Sequence, residues 1–249
     1  INYTPWITKI QDTLWNTAEA LVSQTITNDT WLISAPTSTP TLISASDTGI
    51  SDNDHITRDT TPTFTISCEN GGTVQLRESS TLLASGTCPG GNSISLTSST
   101  LSGGVHNIHA RQNTGSGYSN NSSSLSITLD TVAPNTPTIS SIGGDITAPY
   151  TANTLTPEVV LETIAGEYAT ITGWSCVPYP ATSTSVTCSP NSSLNQGTNT
   201  LNISLSDAAG NDTTRTATVW VDSILPSISS TIINNATLTL TYSEALNIN

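Results

Sequence analysis

The chain has 249 residues, of which only 9% are charged, and its net charge is −13 at pH 7. Five Lys and Arg residues are too few to form the basic face that nucleic acid or an anionic membrane surface requires, so both are excluded as partners. No run reaches the ~18–20 apolar residues of a membrane-spanning helix. The abundance of Ser and Thr predicts an extracellular β-protein, secreted or held at a cell surface.

The N-terminal segment, residues 1–35, differs from the rest of the chain. Thr4 can cap a helix with Pro5 at its first position, and apolar residues then recur on one face over about 5–22. This pattern predicts a short helix followed by a strand at 30–34, or, alternatively, the last strands of a preceding repeat. Because the chain starts with Ile and lacks Met, we expect a processed product or a segment of something longer.

Short segments of alternating apolar and polar residues fill the remainder and predict half-buried β-strands. These segments are 73–77, 125–129, 200–206, 216–221 and 237–243. Gly, Asn, Ser and Pro punctuate them as turns. The sequence therefore predicts an all-β fold.

An internal repeat divides this β-rich part. Residues 103–134 align with 197–226, and Asp130 and Asp222 occupy the same place, each four residues before a proline. Their separation of 92 residues is the size of an Ig-like sandwich of about seven strands. Short Pro-containing linkers predict tandem β-sandwiches in an extended, semi-rigid rod. The predicted units are an Ig-like domain over 36–133, a second over 134–225, and a partial third repeat or donor strand over 226–249.

Four cysteines form two sequence-local pairs, Cys68 with Cys88 and Cys176 with Cys188. Because local pairing keeps each bridge inside one predicted domain, we expect two disulfides, each contributing roughly 3 kcal/mol by restricting the unfolded chain. Free buried thiols are the alternative. The pairs do not fall at equivalent positions of the two repeats, so the bridges are predicted to be separate additions to a shared scaffold.

Three phrases carry a resemblance to a known family: "SASDTGISDNDHITRDTTPTFTIS" (44–67), "LDTVAPNTPTIS" (129–140) and "SDAAGND" (206–212). They resemble bacterial Ig-like repeats of large surface adhesins and biofilm proteins, over roughly 36–226. The closing "LTLTYSEAL" (238–246) resembles the start of a SwmB-type repeat. The resemblance implies an extracellular structural role, with calcium stiffening the string of domains at their junctions.

Aspartates near the predicted junctions are the candidate calcium ligands, because hard cations take carboxylate and carbonyl oxygens from flexible turns. The candidates are Asp47, Asp52, Asp54, Asp59, Asp130, Asp207, Asp212 and Asp222. The alternative is that they cap turns without any metal. The first repeat reads "QNTGSGYSNN" (112–121) where the second has "SDAAGND", so a ligand supplied by Asp207 has no counterpart in the first repeat. The sequence also contains no EF-hand loop.

Nothing in the sequence predicts an enzyme. His106 and His109 fall in a predicted strand, where a separation of three puts them on opposite faces, and His55 stands alone. No nucleophile motif or phosphate loop accompanies them. A carbohydrate-binding accessory module is one alternative function, with Trp174 and Tyr179 as its local candidates.

The preferred function is a subunit of a cell-surface fibre, self-associating head to tail into a homopolymer. Residues 236–246 predict an edge strand that a neighbouring copy completes by β-augmentation. The candidate contact residues are Leu238, Leu240 and Tyr242 on this strand and Trp6, Trp15 and Trp31 in the N-terminal segment. A local core is the alternative for the tryptophans. The alternative function is a stalk fragment of a large calcium-stiffened surface adhesin. Besides another copy of the chain, a host, cell or glycan surface receptor is a candidate partner.

Overall fold

The computed structural model describes residues 36, 38–115 and 117–245. Within these residues the regular secondary structure consists of β-strands, with no helix. The predicted all-β fold is confirmed. The predicted N-terminal helix, the strand at 30–34 and the three N-terminal tryptophans lie outside the described residues. In the described ranges no helix has the length and apolar character that crossing a membrane requires.

The first sandwich packs a three-stranded sheet on a five-stranded sheet. Its strands are β1 (Thr41–Leu42), β2 (Ile56–Thr57), β3 (Thr63–Ser67), β4 (Thr73–Glu78), β5 (Thr81–Thr87), β6 (Ser93–Thr97), β7 (Gly104–Asn113) and β8 (Leu125–Leu129). The sheet orders are β1-β3-β6 and β2-β8-β7-β4-β5. Alternate residues face the core, so Phe64 and Ile66 on one sheet meet Val74, Leu76 and Ile108 on the other, all fully buried.

The second sandwich packs two four-stranded sheets. Its strands are β9 (Thr138–Ile142), β10 (Tyr150–Ala152), β11 (Val159–Glu162), β12 (Tyr168–Ile171), β13 (Trp174–Val177), β14 (Ser185–Pro190), β15 (Gly197–Ser206) and β16 (Asp212–Val221). The sheet orders are β13-β14-β11-β9 and β10-β16-β15-β12. Val159 and Leu161 from one sheet and Ile203 and Val219 from the other lie in its core, which is separate from the first core.

The two sandwiches share most of one topology; they differ in β5, which pairs with β4 in the five-stranded sheet, whereas the corresponding β13 pairs with β14 in the other sheet. In each, a short strand, β2 or β10, pairs in parallel with the last strand, β8 or β16, whereas the other strand pairs are antiparallel. Asp130 and Asp222 directly follow these last strands, and their amides donate equivalent hydrogen bonds to Thr57 O and Ala152 O, both at 2.9 Å. The alignment of the two aspartates therefore corresponds to one structural position. The exact domain boundaries stay a prediction.

Both predicted disulfides are present. Cys68 follows β3 and Cys88 follows β5, so this bridge joins the two sheets of the first sandwich. Cys176 lies directly opposite Cys188 on the neighbouring strands β13 and β14 of one sheet. The two bridges thus differ in kind, which agrees with their unequal positions in the repeat.

A separate hairpin follows the second sandwich. It consists of β17 (Ile228–Asn234) and β18 (Thr237–Tyr242), which pair antiparallel with each other and with no other described strand. All residues of β17 and all but the last of β18 are exposed.

Candidate functional site

The acidic loop of residues 46–59 lies where the two sandwiches meet. Thr48 Oγ1 donates a hydrogen bond to Ala209 O at 2.9 Å, and the Ile50 amide donates one to Ala208 O at 3.3 Å. We call residues 46–59, 130–137 and 207–213 the junction. It brings together parts of all three phrases that carry the family resemblance, the first and third of which are about 160 residues apart in the chain.

Two glycines set how closely the sandwiches approach. Gly49 and Gly210 both have positive φ, 110° and 86°, which L side chains rarely adopt. A Cβ on Gly49 would stand 2.0 Å from Ala208 O, and one on Gly210 would stand 2.7 Å from the Gly49 Cα. The junction therefore needs glycine at both positions for its backbone conformation and for space.

Asn211 is the central polar side chain of the junction and is buried. Its Nδ2 donates to Asp207 Oδ2 and, across the junction, to Asp130 O, both at 2.9 Å. Its backbone amide donates to Asp207 Oδ1, also at 2.9 Å. Asp207 thus orients Asn211, and Asn211 holds the end of the first sandwich.

Two arginines reinforce the junction. Arg58 Nη1 donates to Gly210 O at 2.5 Å and lies 3.9 Å from the Asp212 carboxylate, an exposed ion pair that contributes little by itself. Arg215 Nη1 donates to Pro137 O at 3.0 Å, and Thr213 Oγ1 donates to Pro134 O at 2.7 Å. The proline-containing linker is therefore tied to the second sandwich along its length.

Several candidate aspartates cap turns. In each, Oδ1 accepts a hydrogen bond from the backbone amide two residues later, which is the pattern of an Asx turn. The pairs are Asp54 with Ile56, Asp59 with Thr61, Asp130 with Val132, and Asp222 with Ile224. These four carboxylates therefore cap turns, as the alternative to calcium binding predicts.

Asp47 is different because its side chain is buried, with 4% of the residue exposed. Its Oδ2 accepts a hydrogen bond from the His55 amide at 3.1 Å, whereas its buried Oδ1 has no hydrogen-bond partner in the described part of the chain. Burial raises the pKa of Asp47; the His55 amide opposes this, and the charges of Asp54 and Asp52 add to it. An added cation would offset the burial of this carboxylate.

The candidate aspartates differ in how many of their carboxylate oxygens are free to bind calcium. Both oxygens of Asp207 already accept N–H groups of Asn211, and Asp212 lies beside the Arg58 guanidinium. Asp47, with its unpartnered oxygen and the nearby charges of Asp52 and Asp54, fits a cation better. In the described part of the chain no group of three or more His, Cys, Asp or Glu side chains is arranged to hold a metal ion. Calcium stays a prediction.

Asp222 lies at the opposite end of the second sandwich from Asp207. With Asp145, Asn153 and the exposed ring of Trp220 it lines an open groove of about 420 Å³. Both oxygens of Asp145 accept hydrogen bonds from Thr147 and Thr151, which lower the pKa of its carboxyl. Trp174, a candidate for carbohydrate contact, instead packs partly on the core, and Tyr179 stacks edge to face on Tyr168 at 5.2 Å.

The two strand histidines lie on opposite faces of β7. His106 is on the core side, where its Nε2 donates to Ser102 O at 2.7 Å and its Nδ1 lies 3.0 Å from the Glu78 carboxylate. Burial lowers the pKa of His106, but these two hydrogen bonds and the charge of Glu78 outweigh it, so the net shift is upward. His109 is on the outer face, and burial together with the charges of Arg77 and Arg111 lowers its pKa.

The candidate contact residues of the hairpin share one face. Leu238 pairs with Ile233 and Tyr242 with Ile228, while Leu240 lies between Leu238 and Tyr242 on β18. We call these five residues the hairpin face. Four of these side chains are solvent-exposed, including Ile233 to 74% and Leu238 to 58%, and Tyr242 is half-buried.

The sequence did not single out Gly49, Asn211, Arg58 or Arg215 as junction residues. Gly49 and Asn211 lie inside the quoted family phrases. A glycine between polar turn residues indicated a turn there, but not a contact between the two sandwiches. The partners of the two arginines are backbone carbonyls, which no residue pattern specifies.

Residues 33–131 match the family model described as a bacterial Ig-like domain. The predicted family resemblance is thereby confirmed for the first sandwich, whereas the SwmB-type resemblance stays a prediction. No curated protein matches the sequence.

Three similar solved structures share the β-rich character of the chain. The fibronectin(III)-like modules of Clostridium thermocellum CbhA are 11% identical, with 67% of this chain and 87% of that chain covered and a TM-score of 0.40. The BSP domain of a biofilm associated protein is 18% identical, with 69% and 29% covered and a TM-score of 0.26. The D0-D1 domain of intimin is 11% identical, with 66% and 93% covered and a TM-score of 0.25. Likenesses this distant carry no conclusion about what the chain does.

Proposed function

We propose that this protein is a non-catalytic structural component of a cell surface, whose copies join head to tail into a fibre. The bacterial Ig-like domain and the two disulfides support an extracellular place. The single observation that carries self-association is the hairpin face, an apolar surface on a sheet that has two strands in the described part of the chain.

A lone two-stranded hairpin is at best marginally stable in water, because it buries too little apolar surface. The hairpin face leaves Ile233, Leu238 and Leu240 in solvent, and the outer edges of β17 and β18 pair with no described strand. A third strand added to either edge, or a sheet packed on the face, would stabilise it. The hairpin therefore has both the surface and the backbone groups for strand complementation.

A second copy of this chain is the occupant that we propose. As the receiving surface we propose the N-terminal segment with Trp6, Trp15 and Trp31, which lies outside the described residues and whose sequence differs from that of the hairpin. Contacts between two different surfaces repeat without closing and so generate a fibre.

The junction supports a spacing role within that fibre. Thr48, Arg58 and Asn211 form hydrogen bonds across it, and Gly49 packs directly against Ala208. These contacts restrict rotation between the two sandwiches and keep the ends of one subunit apart.

Static light scattering and negative-stain electron microscopy of the full chain test the proposal. We expect concentration-dependent assembly into filaments, abolished by Leu238→Asp with Leu240→Asp. The pair Leu238→Thr with Leu240→Thr keeps strand-forming residues while removing the apolar surface, and it should also prevent assembly. The control pair, Ile146→Asp with Ile164→Asp, adds the same charge at exposed apolar positions outside the hairpin and the junction, and should assemble normally.

The stalk of a longer adhesin is the second candidate function. The hydrogen-bonded junction supports it as well as it supports a fibre subunit, because both roles need a fixed arrangement of the two sandwiches. Filaments that persist in both hairpin variants, or single short rods at every concentration, would reject self-association through the hairpin. Single rods would support the stalk.

A further inference from the structure

The outer face of the five-stranded sheet of the first sandwich carries two adjacent arginines, Arg77 and Arg111, which have no carboxylate partner among the described residues. Arg77 on β4 lies opposite His109 on β7, and Gln75 lies opposite Arg111. In the described ranges the only ion pairs are those of Arg58 with Asp212 and of His106 with Glu78. Although the chain has 18 carboxylates, none of those in the described residues forms an ion pair with either of these two neighbouring arginines.

Neutral side chains hold these two guanidinium groups in fixed positions. Gln75 Oε1 accepts hydrogen bonds from Arg77 Nη1 at 3.1 Å and from Arg111 Nε at 2.9 Å, and Gln75 Nε2 donates to Tyr118 Oη at 2.9 Å. Arg111 also stacks on the Tyr118 ring, 4.3 Å from its centroid, and Arg77 Nη2 donates to Ser80 O. We call Gln75, Arg77, His109, Arg111 and Tyr118 the arginine face.

The arginine face has unused donors. The terminal nitrogens of Arg111 have no hydrogen-bond partner among the described residues, and His109 Nε2 is buried without one, in a residue that is 6% exposed. Like charges on neighbouring strands destabilise a sheet, and a buried polar atom without a partner costs further free energy. An anion bound between the arginines would offset the first cost.

We propose that the arginine face binds an acidic saccharide, with a uronate carboxylate on the Arg111 guanidinium and the sugar ring against Tyr118. A guanidinium presents parallel N–H donors that match a carboxylate, and a partly exposed phenol ring offers both an apolar surface and a hydroxyl. This site is independent of the hairpin face and of the junction.

A saccharide fits the arginine face better than an acidic protein surface, including a second copy of this chain. Asp54, Asp59 and Asp130 already use one carboxylate oxygen each to cap their own turns. A single uronate unit brings one carboxylate and little other charge to a small cationic patch.

Isothermal titration of the full chain with trigalacturonic acid tests the proposal, with the neutral methyl ester of the same trimer as the matched ligand. We expect a dissociation constant of about 1 mM or tighter for the acid, weaker binding at higher salt, and no measurable binding of the ester. Arg111→Gln and Arg77→Gln should each weaken binding about tenfold or more, and Arg111→Lys should fall between, because it keeps the charge but loses the paired donors. Arg215→Gln, the same change on the second sandwich, should leave binding unchanged.

A second measurement follows the His109 ring by NMR. A carboxylate beside Arg77 and Arg111 reduces their field at His109, so the saccharide should raise the pKa of that ring in the wild type and not in Arg111→Gln. The hairpin variant Leu238→Thr with Leu240→Thr should bind the saccharide normally, which separates this site from fibre assembly.

Three outcomes would overturn the proposal. The ester could bind as tightly as the acid, Arg215→Gln could weaken binding as much as Arg111→Gln, or a peptide of residues 50–59 could compete more strongly than the saccharide. The last result would assign the arginine face to an acidic protein partner.

Discussion

Gly49 and Gly210 lie backbone to backbone across the junction, so close that a Cβ on Gly210 would stand 2.7 Å from the Gly49 Cα. Gly49→Ala would bring its Cβ to 2.0 Å from Ala208 O and would also strain a residue of positive φ by about 1–2 kcal/mol. We expect this variant to separate the sandwiches while both cores stay folded. Residual dipolar couplings would then show two independently oriented units.

Gly71→Ala is the matched control for this change. Gly71 also has a positive φ, 79°, but a Cβ there would meet nothing within 4 Å. It should lose a similar amount of stability without altering the relative orientation of the sandwiches. If Gly49→Ala leaves that orientation as fixed as in the wild type, the junction is held by other contacts.

Asn211→Ala should destabilise the junction by about 1–3 kcal/mol, because it removes the buried side-chain donor to Asp130 O and Asp207 Oδ2, whereas the backbone amide still donates to Asp207 Oδ1. Urea unfolding, followed separately in each sandwich by NMR, checks this. We expect the urea midpoints of the two sandwiches to differ more in the variant than in the wild type. Asn153→Ala, at an exposed position, should leave them unchanged.

His106 should make the first sandwich less stable as pH rises. Its folded pKa lies above its unfolded value of about 6.5, so its contribution is complete below that value and is lost as pH rises through the folded pKa. His109, whose pKa is lowered, acts in the opposite sense. Because His109 is present in both proteins, its contribution drops out when the unfolding free energy of His106→Gln is subtracted from that of the wild type. This difference should shrink as pH rises. A difference that stays constant between mildly acidic and mildly alkaline pH would contradict the assignment.

Each disulfide should contribute about 3 kcal/mol through the unfolded state. We expect Cys68→Ala with Cys88→Ala to lower the melting temperature of the first sandwich only, and Cys176→Ala with Cys188→Ala that of the second only. Calorimetry of the two double variants checks this. A matching loss in the other sandwich would show that the two units unfold as one.

Calcium should act through Asp47. Without the ion, Asp47→Asn should be at least as stable as the wild type, because it removes a buried charge whose Oδ1 has no donor. Excess calcium should raise the melting temperature of the wild type and not of Asp47→Asn. Asp59→Asn, which alters a turn cap, should keep the response. An identical response of wild type and Asp47→Asn would place any calcium elsewhere.

The fold was predictable where a segment's own pattern decides its structure. The alternation at 125–129 matches β8, and that at 73–77 lies within β4, because one face of each is buried. β1 and β2 have two residues each, too few for a periodicity, and their positions depend on pairing with β3 and β8.

The junction was only partly predictable. The sequence placed aspartates near it but gave no means of knowing that Asn211 would reach Asp130, 81 residues away, or that Arg58 would reach a glycine carbonyl. Those contacts depend on how two folded units meet. The arginine face was missed for a similar reason, because Arg77 and Arg111 become neighbours only through the pairing of β4 with β7.

The parallel pairing of β2 with β8, and of β10 with β16, has a mechanical consequence. These strands lie near the entry and the exit of each sandwich, so tension applied along the chain pulls the two members of a pair in opposite directions along their length. The hydrogen bonds from Thr128 to His55 and from Asp130 to Thr57 are then loaded together in shear instead of opening one after another. Each sandwich should resist stretching by flow or by a moving cell much better than the hairpin of β17 and β18, whose bonds open singly from its ends.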